Sequence, residues 1–141
     1  FFISIVNTLY YFQPDFIFHV QEFEKNRKNI GSYLKQVPVA VKRYLNYYAY
    51  YFLSKKDDLA ISLLIEFMNP EEESIRKSDA NYSASWIYLN QLHNVLLSSS
   101  YEDYRKWWQT TKKPKILWND QALVSIFQNI KNNEDRAYRI Y

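Results

Sequence analysis

The chain has 141 residues and a formal net charge of +3, from 18 Lys and Arg against 15 Asp and Glu; it contains one glycine, no cysteine, 14 Tyr, 9 Phe and 4 Trp. Such a length supports one domain with a real core, and the lack of cysteine excludes disulfides, thiolate zinc sites and a cysteine nucleophile. A single glycine disfavours a β-rich fold and excludes P-loop and dinucleotide sites, while the mild charge gives only weak support to nucleic-acid or membrane binding.

Residues 1–12 suit a first helix or an isolated strand; helix is favoured, because no later segment offers a strand partner, and Pro14 ends it. This stretch lacks a basic leader and a small-residue cleavage site, so a signal peptide is not expected. The start at Phe1 rather than Met suits an excised domain or a processed product. Asp15 is expected to cap a helix in which Phe16, Val20, Phe23, Arg27 and Ile30 follow at three- and four-residue steps, with Ile17 beside them. Gly31 stands where a C-terminal cap belongs.

Pro38 suits the first turn of the next helix, whose apolar side holds Val41, Tyr44, Leu45, Tyr48, Tyr51 and Phe52. Tyr47 and Tyr50 extend that side around most of the circumference, as in a helix central to a core or shared between core and groove. Lys55 and Lys56 mark a turn, and Asp57 or Asp58 opens a helix carrying Leu59, Leu63 and Phe67 beside Ile61, Leu64, Ile65 and Met68. Asn69, Pro70 and Glu71 to Glu73 form a further helix start. Residues 81–97 read as a helix with Trp86, Leu89, His93 and Leu96, closed by Ser98 to Ser100. Ser100 with Asp103 resembles a capping box for a helix holding Tyr104, Trp107 and Trp108. After a basic loop around Pro114, Asn119 or Asp120 begins the last helix, with Leu123, Ile126, Phe127 and Ile130 on one face; residues 132–141 are expected to fray or form a short turn. The expectation is an all-α single domain over residues 1–141: six or seven antiparallel helices in a compact bundle or a short helical-hairpin solenoid.

Tyr44, Tyr51, Ala60 and Leu64 stand at successive steps of seven, nine and four. That pattern resembles the tetratricopeptide repeat, a pair of helices with large, aromatic, small and large residues at those steps. A second hairpin of this kind would place Trp86 on one helix and Tyr101, Tyr104 and Trp108 on the other. Tyr48, Phe67 and Glu72 depart from the family, which has small residues at the first two positions and proline at the third. The resemblance covers residues 44–70 and, out of phase, 86–108; it implies a scaffold that binds peptides or proteins on a concave face without chemistry.

Little in the chain points to catalysis. The two histidines, His19 and His93, lie on helical faces beside apolar residues, and there is no HxxxH or HExxH. No arginine precedes either by four to six residues, the pairing that marks helical ribonucleases of the HEPN type. There is no G-x-S-x-G elbow. Glu71, Glu72 and Glu73 suit a helix N-terminus, because adjacent helical residues cannot converge on one ion. No cofactor, metal or catalytic residue is therefore expected.

Two clusters suit binding. Five tyrosines, Tyr44, Tyr47, Tyr48, Tyr50 and Tyr51, need five hydroxyl partners if all are buried, so some are expected at a surface. Arg105, Lys106, Lys112, Lys113 and Lys115 surround Trp107 and Trp108, a combination that could meet phosphates and stack bases, although Glu102 and Asp103 lie close by. The leading expectation is a non-enzymatic protein-binding module using Tyr44, Tyr47, Tyr48, Tyr50, Tyr51, Trp107 and Trp108, with a toxin-neutralising immunity protein as one form of it. The rivals are a nucleic-acid-binding domain using the basic tryptophan region, an accessory subunit of a larger assembly, and an enzyme using His93 with a carboxylate. No run of 18 apolar residues is present, so no membrane span is expected, and the expected location is cytoplasmic.

Overall fold

In a computed structural model the described residues are 6, 7, 9–11, 13–70, 85–93, 100–109, 116 and 118–139, with backbone alone for 85–87, 93 and 133–139. Every regular element among them is helical, so the protein is all-α. Contacts divide the chain into two compact units, Phe1–Glu66 and Phe67–Tyr141.

In the first unit, α1 spans Phe16–Lys25 and buries Phe16, Val20 and Phe23, as the spacing predicts. Asp15 precedes it, but the carboxylate makes no capping bond; its backbone carbonyl accepts the His19 N–H at 3.0 Å. The helix ends earlier than the row through Arg27 and Ile30 suggests. Asn26 closes it: its backbone N–H and its side-chain amide both donate to the Glu22 carbonyl, at 3.0 and 2.8 Å. A 3₁₀ turn, Arg27–Asn29, leads into α2, Ile30–Leu34. Gly31 therefore lies within a helix and not at a C-terminal cap, and its φ is not positive.

Pro38 directly precedes α3, Val39–Arg43, and α4 follows as Leu45–Ser54. The expected continuous helix is interrupted at Tyr44, whose φ of −108° and ψ of 18° depart from helical values. At the other end of α4, Lys56 adopts a left-handed φ of 53°. The Asp57 N–H bonds the Phe52 carbonyl at 3.1 Å and the Lys56 N–H bonds that of Leu53 at 3.0 Å. This pair of bonds is a Schellman closure with lysine in the glycine position.

Asp57 then opens α5, Leu59–Phe67, by accepting the Leu59 N–H at 2.9 Å. Leu59, Ala60, Ile61, Leu63, Leu64, Ile65 and Phe67 are all buried, so α5 is apolar around nearly its whole circumference and interior. Each fully buried Leu, Ile or Phe side chain contributes about 1.5–3 kcal/mol of transfer free energy. Arg27 reaches across to Asp57 in a two-pronged ion pair, both contacts 3.1 Å.

The second unit contains α6, Ser85–His93, α7, Tyr101–Trp108, and α8, Asp120–Arg139, with α6 packed on α8. Asn119 caps α8 through a 2.8 Å bond from the Gln121 N–H. Leu123, Ile126 and Ile130 form its buried row and Phe127 is half-buried. The helix runs on to Arg139, where fraying from residue 132 was expected. The helix start at Glu71 to Glu73 lies outside the described residues.

Candidate functional site

The rotational phase of α4 decides which tyrosines face outward, and the buried row Val41, Leu45, Tyr48 and Phe52 runs through the break at Tyr44 without a change of phase. Leu45, Asn46, Tyr48, Ala49, Tyr50, Phe52 and Leu53 are buried. Tyr44, Tyr47, Tyr51 and Ser54 are half-buried, and their spacing of three, four and three residues places them in one stripe along the helix. Of the five tyrosines, Tyr48 and Tyr50 thus belong to the interior, and Tyr44, Tyr47 and Tyr51 are the rings that reach solvent.

The stripe is held by ring contacts. The Tyr44 and Tyr47 centroids are 6.0 Å apart, and Tyr47 stands edge-on to Tyr50 at 5.9 Å. Tyr51 meets Phe52 at 5.4 Å and Phe16 of α1 at 6.3 Å, both edge-on, while Lys55 Nζ lies 5.7 Å from the Tyr51 centroid, within cation–π range. Burial pushes the Tyr44 phenol up against the opposing pull of Arg43.

Beneath the stripe, Phe23 stands edge-on to Tyr48 at 5.0 Å and to Tyr33 at 5.9 Å. Burial, with Asp15 and Tyr33 adding to it, holds the Tyr48 phenol far above the usual tyrosine range. Its hydroxyl has no hydrogen-bond partner among the described residues. His19 lies 6.3 Å from the same ring and is half-buried; burial pushes its imidazole down, outweighing Asp15 and Glu22.

In the second unit, α7 buries Tyr104 and Trp108 one turn apart and leaves Trp107 half-buried, edge-on to Tyr104 at 6.0 Å and 5.8 Å from Trp108. Arg105 and Lys106 are exposed, but so are Glu102 and Asp103, and Arg105 Nη1 lies 3.5 Å from Glu102 Oε2. The exposed acids and bases of α7 therefore balance. Lys112, Lys113 and Lys115 lie outside the described residues, as does the side chain of His93.

Among the described residues no group of three or more His, Asp or Glu side chains is placed to hold a metal, and no helix is long and apolar enough to cross a membrane. Ile17, expected beside the apolar row, is instead turned to solvent by α1, because it lies about 100° around the helix from Phe16; Phe18, not singled out in the sequence, is exposed as well. The signal was available in helical phase, since Phe18 lies about 160° around the helix from Phe16. Comparison with family models, with curated proteins and with solved structures finds no match.

Proposed function

We propose that this chain works without catalysis, as a module that binds another protein through the tyrosine stripe of α4. The observation that carries the reading is the alternation along that helix: Tyr48 and Tyr50 are sealed inside, while Tyr44, Tyr47 and Tyr51 share one half-exposed line. Rings already braced by neighbouring rings lose little rotamer freedom on docking, and tyrosine supplies both apolar area and a hydroxyl. Trp107 is the corresponding ring of the second unit, with Trp108 beneath it as a buried anchor.

The tetratricopeptide-like reading is the architectural form of this proposal. Its support is that Ala60 and Leu64 are fully buried on α5, where a close helix approach needs a small residue beside a large one. Toxin neutralisation is a narrower form of the same proposal; a net charge of +3 favours an acidic partner surface over a basic nuclease.

Affinity capture from native extract, quantified for wild type and for Tyr44→Ser with Tyr47→Ser, tests the reading. A partner enriched by wild type and lost from the double variant, with helicity unchanged by circular dichroism, is the expected result. Equal enrichment by both proteins overturns it.

A further inference from the structure

From Lys25 to Lys56 the chain carries eight lysines and arginines and no aspartate or glutamate. All of α3 and α4, and with them the tyrosine stripe, lie inside this acid-free run. Because the buried row keeps its phase across Tyr44, Arg43, Tyr44, Tyr47, Tyr51, Ser54 and Lys55 fall within one arc of about 120° around the helix axis. Along that arc tyrosines hold the middle and exposed cations the two ends, with Arg43 and Lys55 about 18 Å apart along the axis.

Both cations act on the stripe itself. Lys55 Nζ sits 5.7 Å from the centre of the Tyr51 ring, and the Arg43 charge favours ionisation of the Tyr44 phenol. The acids of the first unit lie on other elements. Asp57 pairs with Arg27 and caps α5, while Glu24 and Asp58 act on Arg27 as well. Glu22 acts on His19 and Tyr33, and Glu66 lies against Gly31. Asp15, next to Phe16, borders the Tyr51 end, and its charge acts on His19 and Tyr48.

We propose that the α4 stripe docks an acidic amphipathic segment of another protein, apolar at its centre and carrying a carboxylate near each end, seated on Tyr44, Tyr47 and Tyr51 between Arg43 and Lys55. This names a partner for the surface already proposed and rests on that reading. Carboxylates at the two ends meet both cations and fix the register of the segment, while its apolar centre covers the rings. Single-stranded nucleic acid fits less well. It carries a charge at every nucleotide, whereas the cations of this arc stand at its ends, and bases stack on open ring faces, whereas Lys55 lies over that of Tyr51.

The test is fluorescence anisotropy of the full chain with labelled helical peptides of about 16 residues, Leu at helical spacing in the middle and Glu at both ends, beside counterparts with Gln or Lys in place of Glu. The Glu peptide is expected to bind about tenfold or more tighter than the Gln peptide, and the Lys peptide not at all. Affinity for the Glu peptide is expected to fall about tenfold or more in Arg43→Glu with Lys55→Glu and in Tyr47→Ser, each with helicity unchanged by circular dichroism. Glu and Gln peptides that bind alike and are both lost in Tyr47→Ser keep the stripe as a docking surface and overturn its acidic partner. Binding of the Glu peptide that survives Tyr47→Ser overturns the stripe as well. No binding of the Glu peptide overturns the acidic partner and leaves the stripe to be decided by affinity capture. A single-stranded oligonucleotide that binds wild type and not Tyr47→Ser assigns the stripe to nucleic acid, and self-association in sedimentation that Tyr47→Ser abolishes assigns it to a second copy of the chain; either result overturns the proposal.

Discussion

Tyr47 and Tyr48 are neighbours in sequence and opposites in environment, one half-exposed and the other sealed against Phe23. The sequence places five tyrosines between residues 44 and 51, but which of them are buried depends on helix phase. Tyr48→Phe removes an oxygen with no hydrogen-bond partner among the described residues and keeps the ring contacts. It is expected to hold or raise stability by up to about 1 kcal/mol, whereas Tyr48→Ala is expected to cost about 3–5 kcal/mol; thermal denaturation separates the two. Asp57 combines the Arg27 pair with the cap on Leu59. Burial pushes its carboxyl up, but the bonds from Arg27 and the Leu59 N–H outweigh this and hold it below the usual carboxylate range. A depressed folded pKa means that the stabilisation is fully present above the unfolded value of about 3.9 and is lost as pH falls through the folded value. The Arg27 side chain is 44% exposed, so solvent screens the pair. Asp57→Asn is therefore expected to cost about 1 kcal/mol at pH 7, and its melting temperature is expected to converge on wild type as the pH falls through the folded value of Asp57.

At the scale of elements, the helices were readable wherever a buried row ran unbroken. Phe16, Val20 and Phe23, the apolar set of α5, and Leu123, Ile126 and Ile130 are buried as their spacing requires. Helix ends were harder to read, because their chemistry is local. Asn26 ends α1 with a side-chain bond that no hydrophobic period reveals, and Gly31, which reads as a cap, is then absorbed into α2. Gly31→Ala places a methyl 3.4 Å from Glu66 Oε1, an ordinary contact with a flexible side chain, and is expected to stabilise the fold by about 0.5–1 kcal/mol through helix propensity. The converse holds at Lys56, where a side chain occupies a left-handed position; Lys56→Gly is expected to gain about 1 kcal/mol. Urea unfolding of the two single variants checks both signs, and a loss in either contradicts the assigned backbone role.

For the whole molecule, the all-α class was legible because one glycine and aromatics at helical spacing leave few alternatives. The binding surface was less legible. Rings at three- and four-residue steps serve a core and a docking face equally well, and only the rotational setting of each helix separates the two. The α7 region shows this from the side of charge: the sequence sets Glu102 and Asp103 against Arg105 and Lys106, and all four are exposed on the same helix. A labelled single-stranded oligonucleotide is accordingly expected to remain unbound at physiological salt. Retention that weakens steeply with salt, and on Lys112→Glu with Lys113→Glu, returns the assignment to nucleic acid.

The inside–outside partition of α4 has a chemical corollary. Mild iodination or nitration attacks phenols that reagents can reach, so brief labelling of the native protein is expected to mark Tyr44, Tyr47 and Tyr51 and to spare Tyr48 and Tyr50. A mass-spectrometric map of modified rings would thus read the helix's orientation directly, and loss of labelling when a bound protein is added would trace its footprint ring by ring.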